Sequence, residues 1–344
     1  MAVTVVIGGQ FGSEGKGKVA HFLARERGAA AVVRVGGSNS GHTAVGTSGP
    51  TILRQLPTAA LLPDVLCVIG PGSYIDVPLL LSEVERTDLD LARLLIDRNA
   101  VVITDADRDA ERNAGLREKI GSTCSGTGAA VRKRVDRSGD EYLASRSPTL
   151  EPLVFDTSPV IRDLLERDER VVVEGTQGFG LSVLHSPYYP KATSRDTSAA
   201  GAISEAGLSP RDVDEIFLVI RSFPIRVAGD SGPLEPEELD WRRVAEEGGH
   251  SSDLTELTSV TRLARRVGRL DPQLVRRAIS VNQPTSIVMN HVDHVDAAAA
   301  GGDELTPKAA AFVRWAAEEI GQPIDLVGLG PDVLIPATVP AMSR

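Results

Sequence analysis

The sequence predicts an α/β fold in which a mainly parallel central sheet is flanked by helices, in a P-loop-NTPase-like arrangement. Three observations support this prediction. Short runs rich in β-branched residues have the length and composition of strands buried on both faces. Amphipathic stretches lie between several of these runs, and strands that alternate with helices form parallel sheets. The first run ends in a glycine-rich loop that leads into a helix, as in phosphate-binding α/β units.

The first strand is expected at residues 3–7, the glycine-rich loop at 8–18 and the first helix at 18–27. Further helices are expected at 78–85 and 159–166. The other expected strands are residues 31–35, 65–69, 101–104, 171–173, 216–220 and 286–289. The sequence shows no internal repeat and no low-complexity linker, so residues 1–344 are expected to form a single domain with loop and helical excursions.

The composition is that of a soluble protein and argues against several functional classes. The formal net charge of -10 argues against nucleic-acid binding, which requires a basic face. The two cysteines, Cys67 and Cys124, lack the spacing of a metal site and are too few for a disulfide framework. The N-terminus has no signal-peptide pattern, and no stretch approaches the roughly 20 apolar residues that span a bilayer. We therefore expect a cytoplasmic protein that binds neither nucleic acid nor membranes.

The loop GGQFGSEGKGK at residues 8–18 is the most informative motif. Its five glycines let backbone N–H groups approach an anion closely, and the helix that follows adds the positive end of its dipole. Lys16 supplies a point charge for a phosphate. Gly17 stands where the standard GxxxxGK[ST] motif requires Ser or Thr, so this is not a standard P-loop. The alternative interpretation is a purely structural glycine turn.

The clusters GGSNSGHT at residues 36–43 and EGTQG at 174–178 directly follow predicted strands. Ligands of open parallel sheets bind beyond the carboxyl ends of the strands, so these clusters are expected to converge with the glycine-rich loop. His42 suits general acid catalysis because a histidine titrates near neutrality, although a lone histidine is more often structural. Gln177 can read the edge of a purine base through its amide.

Two further segments suit anionic groups. The segment GSTCSGTG at residues 121–128 places hydroxyls among glycines, which suits phosphate oxygens, and the basic residues after it are interpreted mainly as a solvated face. Residues 258–271 form the most basic segment, with arginines at 262, 265, 266 and 269. Arginine binds carboxylates bidentately, so this segment suits a dicarboxylate or a polyphosphate. The alternative is a helix surface.

These five segments occur in the same order in adenylosuccinate synthetases, and the resemblance extends from Val3 to about Asp332. The loop GGQFGSEGKGK resembles the family pattern GxQWGDEGKGK, and GGSNSGHT resembles GGxNAGHT. IGSTCSGTG resembles IGTTGRGIG, EGTQG resembles EGAQG, and VGRLD resembles TGWLD at the end of the aspartate-binding loop. Enzymes of this family phosphorylate the 6-oxygen of a purine nucleotide and then displace that phosphate with the amine of L-aspartate.

The resemblance implies nucleotide-binding and catalytic residues at the matching positions. Lys16 would stabilise the transferring phosphoryl group, His42 would be the general acid, and Ser13 stands at the position of the catalytic base. The implied phosphoryl-donor site comprises Gly12, Glu14, Gly15, Lys16, Gly17, Thr43, Asp293 and Gly330. The implied substrate-nucleotide site comprises Ser13, Asn39, Ser122, Thr123, Arg137, Gln177 and Thr193.

The resemblance also implies a metal, an amino-acid substrate and a partner. Mg²⁺ would be held at Ser13 and Gly41, and L-aspartate would be bound by Thr261 and Arg265. Arg137 matches the family arginine that reaches the substrate phosphate from the other subunit. A homodimer is therefore expected.

Ser13 is the main departure from the family pattern. The family has an aspartate there, which removes the N1 proton of the purine, and a serine hydroxyl is too weak an acid to take over as a base near pH 7. A shorter, phage-type branch of the family carries serine or another small residue at this position and acts on dGMP. The loss of a carboxylate near N1 and C2 makes room for the 2-amino group of guanine.

Two other departures concern the sugar and the phosphoryl donor. The family's TTGRRRRTG stands here as VTRLARRVG, so Leu263 replaces an arginine near the ribose 2′-hydroxyl, which suits a 2′-deoxy sugar. Family members read the guanine of GTP with a lysine and a serine whose positions are His291 and Gly328 here, whereas Asp293 is retained. This weakened guanine pocket, together with the use of ATP by the phage-type branch, favours ATP.

The leading hypothesis is a carbon–nitrogen ligase that joins L-aspartate to C6 of dGMP with hydrolysis of ATP, through a 6-phosphoryl intermediate. The product would be N6-succino-2-amino-2′-deoxyadenylate, a precursor of 2-aminoadenine DNA. One alternative is an ordinary adenylosuccinate synthetase that uses IMP, L-aspartate and GTP, and the other is a non-catalytic homologue that binds purine nucleotides. The group that removes the N1 proton stays open between a water held by Ser13 and a group of the substrate.

Overall fold

A computed structural model of the protein describes residues 2–137, 139–258 and 263–337. The strands are β1 Val3–Gly8, β2 Ala31–Arg34, β3 His42–Gly46, β4 Gly49–Leu53, β5 Leu66–Ile69, β6 Tyr74–Ile75, β7 Leu94–Asp97, β8 Val101–Val102, β9 Val154–Phe155, β10 Val171–Glu174, β11 Val213–Arg221, β12 Ile225–Arg226, β13 Glu238–Leu239, β14 Arg266–Gly268, β15 Ser286–Asn290, β16 Leu326–Gly328 and β17 Leu334–Pro336. The helices are α1 Lys16–Glu26, α2 Val77–Thr87, α3 Asp105–Asn113, α4 Leu116–Ile120, α5 Thr127–Asp136, α6 Thr157–Glu166, α7 Ala199–Glu205, α8 Trp241–Gly248, α9 Pro272–Asn282 and α10 Pro307–Ile320.

The central sheet has the order β17-β16-β15-β11-β1-β10-β2-β5-β7-β9 within the described residues. Its neighbouring strands are parallel, except that β17 runs antiparallel to β16. Side chains of β1 alternate between two buried clusters, with Val5 on one face and Val6 on the other. Helices α1 and α2 cover one face, and α6, α7, α9 and α10 cover the other. The predicted α/β fold with a mainly parallel sheet flanked by helices is confirmed.

Six of the seven predicted strands belong to the central sheet, as β1, β2, β5, β10, β11 and β15. The predicted strand at 101–104 is wrong in length and place, because β8 has two residues and pairs with β6 in a separate small sheet. The chain leaves the strand there because the Thr104 side chain accepts a hydrogen bond from the backbone N–H of Asp107 and caps α3. The sequence interpretation missed β7, β9, β16 and β17, which have two to four residues each.

The predicted helices at 18–27, 78–85 and 159–166 correspond to α1, α2 and α6, which begin one or two residues earlier than expected. Because the strands from β16 to β7 are parallel, the loops after β1, β2, β10 and β15 emerge at the same edge of the sheet. This arrangement brings together the glycine-rich loop and the segments that begin at residues 36, 175 and 291. Within the described part of the chain, none of the helices is long and apolar enough to cross a membrane.

Candidate functional site

The glycine-rich loop is organised around the buried carboxylate of Glu14. Its Oε1 accepts hydrogen bonds from the backbone N–H groups of Gln10, at 3.1 Å, and Gly12, at 2.8 Å. Its Oε2 lies 2.6 Å from Nζ of Lys16, and both side chains are almost fully buried. The carboxylate of Glu14 thus holds the loop together from within, and the predicted contact of Glu14 with the donor nucleotide stays a prediction. One of the three donors of the Lys16 ammonium is thus used by Glu14, and two remain for a phosphate.

Glycines of the loop and its neighbours leave space that a side chain would fill. A Cβ at Gly178 would overlap the Glu14 carboxylate and would lie 2.6 Å from the Gln10 carbonyl oxygen. A Cβ at Gly8 would lie 2.5 Å from the same carboxylate. Gly15 caps the N-terminus of α1 with a φ of 91°, and a Cβ at this position would lie 2.6 Å from Nδ2 of Asn290. The first turn of α1 contains no acidic residue, so its positive end is available to an anion.

His42 lies at the start of β3 and contacts the carboxyl end of β10. Its Nδ1 is 2.5 Å from Oε1 of Glu174. A carboxylate can only accept, so Nδ1 carries the proton and Nε2 is the ring atom left for the substrate. Nε2 is buried and has no partner among the described residues. Glu174 also accepts from the backbone N–H and the hydroxyl of Thr58, at 2.8 Å each.

Arg34, at the end of β2, completes this buried cluster. Its Nη1 donates to Oε1 of Glu174 at 2.7 Å, and its Nη2 donates to the carbonyl of Ser40 at 2.8 Å. Burial lowers the pKa of His42 to about 4, and the charges of Arg34 and Lys16 act in the same direction. Burial alone would raise the pKa of Glu174, but the hydrogen bond from His42 and the charge of Arg34 lower it to about 2. The pair therefore consists of a carboxylate and a neutral imidazole near pH 7.

A cavity of about 770 Å³ lies beside the loop, within the range of small-molecule sites. The predicted site residues that line it are Gly12, Ser13, Asn39, Gly41, Ser122, Thr123, Gln177, Thr193 and Arg265. The basic residues that line it are Arg117, Lys119, Lys191, Arg226 and Arg265. A positively charged cavity in a chain of net charge -10 suits an anionic ligand.

Among the described residues, Glu111 is the one carboxylate that lines this cavity. It accepts from the backbone N–H groups of Gly126, Gly128 and Ala129, at 2.9, 2.7 and 3.2 Å. These hydrogen bonds hold Glu111 at the N-terminus of α5. The described cavity wall therefore contains no carboxylate that is free to act as a base.

Ser13 lies at the edge of the loop in the left-handed backbone region, with a φ of 57°. Its carbonyl accepts from Nη1 of Arg221, at 3.1 Å. Arg221 ends β11, is fully buried and forms a two-pronged ion pair with Glu256. Burial raises the pKa of Glu256, but the charge and hydrogen bond of Arg221 act together with the nearby His291 and hold it well below its usual range. This ion pair fixes the backbone that presents Ser13 to the cavity.

The rest of the predicted donor set lies outside the cavity lining. Thr43 is exposed on β3. Lys18 donates from Nζ to the carbonyl of Gly330, at 2.7 Å, and the carboxylate of Asp293 is close enough to raise its pKa against the larger effect of burial, which lowers it to about 8. Asp293 and Gly330 thus meet Lys18 beyond the carboxyl ends of β15 and β16. We refer to the polar residues and glycines at this place as the polar notch. It consists of Lys18, Asn290, Asp293, Gly328 and Gly330.

Arg137 lies in neither the cavity lining nor the polar notch. Arg137 is exposed at the end of α5, and its Nε donates to the carbonyl of Val135 at 3.2 Å. Thr261 lies outside the described residues. Of the arginines in segment 258–271 that the structure describes, Arg266 pairs with Glu238 and Arg269 with Glu237 and Glu247.

The predicted ligands of Mg²⁺ are Ser13 and Gly41. Ser13 and Gly41 both line the cavity and offer a hydroxyl and a carbonyl oxygen. Mg²⁺ takes hard oxygen ligands and keeps several waters or substrate phosphates, so two neutral protein ligands fit a nucleotide-bound ion. Glu256, His291 and His294 place ligand atoms within 4.8 Å of one another. A cation among them would also face the Arg221 guanidinium, and we therefore assign Glu256 to its ion pair.

Sequence interpretation missed Arg34, Glu174 and Arg221 as residues that organise the site. Glu174 stood inside a recognised motif, and its charge directly after an apolar run is the signal that was available. Arg34 and Arg221 give a similar signal, because each is a lone cation at the end of a buried strand. A buried charge requires a partner, but the partners of these residues are 35 to 140 positions away.

The sequence profile of the adenylosuccinate synthetase family matches residues 5–144 and 139–300 of the chain. The adenylosuccinate synthetase of Methanococcus aeolicus is 34% identical over 341 residues, which cover 97% of this chain and 98% of the relative. That of Pyrococcus horikoshii is 34% identical over 340 residues, 97% of each chain.

Two solved structures have similar folds. One is the succinoaminodeoxyadenylate synthetase (PurZ) of cyanophage S-2L bound to dGMP and to dATP as an energy donor, with a TM-score of 0.82 and 27% identity over 98% of this chain and 96% of that chain. The other is the adenylosuccinate synthetase of Plasmodium falciparum, with a TM-score of 0.80 and 21% identity over 98% of this chain and 100% of that chain, which bears on the fold alone. By its motifs, its fold and these relatives, the chain belongs to the adenylosuccinate synthetase family of carbon–nitrogen ligases.

Proposed function

We propose that this ligase joins L-aspartate to C6 of dGMP with hydrolysis of ATP and produces N6-succino-2-amino-2′-deoxyadenylate, a 2-aminoadenine DNA precursor. The observation that carries the proposal is Ser13 in the cavity wall, at the position of the family aspartate. A guanine 2-amino group that approaches Ser13 meets a small neutral side chain, whereas the family aspartate would place a carboxylate there. The dGMP-bound phage structure, which shares the fold, supports this proposal.

The sugar position supports the same substrate. Leu263, at the position of the family arginine near the 2′-hydroxyl, lines the cavity. An apolar side chain there offers no hydrogen bond to a 2′-hydroxyl, and a ribonucleotide would lose a partner that it has in water. An unpaired hydroxyl costs about 1–3 kcal/mol when it is fully buried and less beside Leu263, which is 54% exposed, so we expect a small but measurable preference for the deoxy sugar.

In the proposed reaction, Gln177 holds the 6-position of the purine, and Ser122, Thr123 and Thr193 hold the 5′-phosphate. The 6-oxygen attacks the γ-phosphorus of ATP, the bond to ADP breaks, and Lys16 stabilises the charge on the transferring group. The amine of L-aspartate, held at Arg265 and Thr261, then displaces phosphate from C6, and His42 protonates the leaving group. Mg²⁺, when bound at Ser13 and Gly41, supplies positive charge to the phosphates. The described residues of the cavity wall offer no free carboxylate, so the N1 proton goes to a water held by Ser13 or to a substrate group.

The test of this proposal compares four acceptors, dGMP, GMP, dIMP and IMP, with L-aspartate and ATP. These acceptors vary the 2-amino group and the 2′-hydroxyl independently. We expect dGMP to give the highest kcat/KM, by at least about tenfold over IMP. A preference for IMP would show an ordinary adenylosuccinate synthetase, the alternative that the 34% identity to archaeal synthetases favours.

Two variants of Ser13 test whether this residue sets the preference. In Ser13→Asp the carboxylate occupies the space of the 2-amino group, so the dGMP to IMP ratio should fall by at least about tenfold. The matched control is Ser13→Ala, which removes the hydroxyl but keeps the space, and should retain the preference. An unchanged ratio in Ser13→Asp would assign the selectivity elsewhere. Binding of dGMP without phosphate release in any mixture would instead support a non-catalytic homologue.

We also propose a homodimer in which Arg137 completes the substrate site of the other subunit, since its guanidinium is exposed and has one hydrogen bond, to a carbonyl, among the described residues. Arg137→Ala and Lys16→Ala should each be inactive alone. Random reassociation of equal amounts should restore about a quarter of the wild-type activity, because half of the dimers are mixed and each has one complete site. A monomer by sedimentation, or no recovery on mixing, would contradict this prediction.

A further inference from the structure

Asn290 has a buried polar atom that no described residue satisfies. The residue ends β15 and is only 2% exposed. Its Nδ2 donates to the carbonyl of Glu14 at 2.8 Å, which fixes the orientation of the amide because a carbonyl can only accept. Its Oδ1 is buried and accepts nothing within the described chain. An unsatisfied buried acceptor costs about 1–3 kcal/mol, so this oxygen points to a donor that a ligand supplies.

Gly328 leaves the space that this oxygen occupies. It ends β16, whose register with β15 places it beside Asn290. A Cβ at position 328 would overlap Oδ1 of Asn290 and would lie 2.5 Å from Nζ of Lys18. The family's serine at this position therefore could not occupy the same space without moving the amide. Asn290 and Gly328 act as a matched pair, in which the glycine makes room for an acceptor oxygen where the family has a hydroxyl.

The pair lies where the base of a second nucleotide would be placed. Asn290 contacts both Glu14 and Gly15 at the N-terminus of α1, where phosphates would bind, and it lies outside the lining of the substrate cavity. Nζ of Lys18 lies beside Gly328, near the amide, and donates to the carbonyl of Gly330. The polar notch thus presents two acceptor oxygens, from Asn290 and Gly330, and one movable ammonium.

We propose that Oδ1 of Asn290 accepts a hydrogen bond from the 6-amino group of the donor's purine base and selects a 6-aminopurine nucleoside triphosphate. The placement of the donor base rests on the proposed function. Lys18 turns away from the Gly330 carbonyl when the base enters. A 6-oxopurine would direct its carbonyl oxygen at Oδ1, and two acceptors in contact repel each other. Discrimination therefore occurs at the 6-position and does not require recognition of the 2-amino group.

The experiment measures binding of four nucleoside diphosphates to the wild-type protein by calorimetry, without dGMP or L-aspartate. ADP and 2-aminoadenosine diphosphate carry the 6-amino group, whereas GDP and IDP carry a 6-oxo group, and each pair differs in the 2-amino group. We expect both 6-amino ligands to bind at least about tenfold more tightly than their 6-oxo counterparts. Tighter binding of the 2-amino pair, or equal binding of all four, overturns the proposal. The acceptor nucleotide is absent, so the outcome does not depend on the proposal for dGMP.

The variant Gly328→Ala tests the pair directly, because it fills the space at Oδ1 and leaves the bond from Asn290 to Glu14 available. The ADP to GDP affinity ratio should fall by about tenfold. Gly46→Ala is the control, since its Cβ would meet only the Leu61 side chain at 3.4 Å, and it should keep the ratio. An unchanged ratio in Gly328→Ala, or an equal loss for both nucleotides, overturns the role of the pair. If this variant does not fold, the wild-type panel alone decides.

Discussion

At the scale of single residues, Glu174 determines the orientation of the His42 ring and which of its nitrogens faces the reaction. The carboxylate orients the ring through Nδ1 and leaves Nε2 for the reacting groups. The imidazole is neutral in the free protein because burial and two cations oppose its protonation. In the proposed role of general acid, His42 must gain its proton after the anionic nucleotides have bound, and Glu174 then stabilises the imidazolium. Glu174 is thus a positioning residue, and its charge is part of that role.

We predict that Glu174→Gln lowers kcat by about 100-fold, because a neutral amide holds the ring but does not stabilise its charged form. The pH profile of kcat should shift to lower pH, since the imidazolium loses its counter-charge. The measurement is kcat against pH under saturating substrates. Glu83→Gln is a matched control, because Glu83 is equally buried and accepts from the backbone N–H groups of Arg54, Gln55 and Leu56. It should lose stability but keep the kcat profile of the folded enzyme, and an equal profile in both variants would refute the role of Glu174.

At the scale of elements, the junction between β1 and α1 is shaped by contacts with other segments. The Glu14 carboxylate holds the loop, and it fits there only because Gly8 and Gly178 have no side chains. Gly178 belongs to the loop after β10, which neighbours β1 in the sheet. Gly15 needs its positive φ and its clearance from Asn290 at the end of β15. The phosphate-binding conformation is therefore a joint property of three strand ends.

We predict that Gly178→Ala disrupts this junction. Its Cβ would overlap the Glu14 carboxylate and approach Gly12 N at 2.6 Å, so the loop must move. The free energy of unfolding should fall by about 1–3 kcal/mol, as for an overpacked core, and nucleotide affinity should fall by at least tenfold more than in Gly46→Ala. Urea unfolding and calorimetry measure the two effects. Normal nucleotide binding by Gly178→Ala would show that the loop tolerates displacement of Glu14.

At the scale of the whole molecule, charge is distributed unevenly between the surface and the cavity. The chain carries a net charge of -10, yet its basic side chains predominate in the cavity lining. Many of the other charges form exposed ion pairs, such as Arg243 with Glu247, which contribute little to stability. Solvent screens such exposed pairs, whereas His42 and Glu174 are buried, so their lowered pKa values will contribute to how stability depends on pH.

We predict that stability falls as the pH decreases from about 6.5 to about 4, and falls further toward pH 2. The pKa of His42 is 6.5 in the unfolded chain and about 4 in the folded protein. Between these two pH values only the unfolded chain binds the proton, so protonation favours unfolding. Glu174 has a folded pKa of about 2 against 4.5, so its contribution is lost at lower pH. A shift of this size in His42 corresponds to at most about 3 kcal/mol. Urea unfolding at several pH values measures the change, and His42→Gln should flatten the upper part of the window. An equal slope in that variant would assign the effect to His21, His291 and His294, whose pKa values are also lowered by burial.

The sequence by itself determined the α/β class, most strands of the central sheet, the glycine-rich loop and the family. These features are local, because strand composition, helical spacing and short motifs are all properties of neighbouring residues. It also indicated nine residues that line the cavity, since loops at the carboxyl ends of parallel strands meet at one edge. The sequence predicted short strands such as β9 and β17 poorly, because their pairing depends on neighbours far along the chain.

Only the tertiary structure decided how the charges in these motifs are used. It placed Glu174 beside His42, paired Arg221 with Glu256 and the Ser13 carbonyl, and directed the Glu14 carboxylate at the backbone of its own loop. It also showed the unsatisfied oxygen of Asn290 beside Gly328. The physical reason is that hydrogen bonds and ion pairs act over about 3 Å in space, between residues that the chain separates by tens or hundreds of positions.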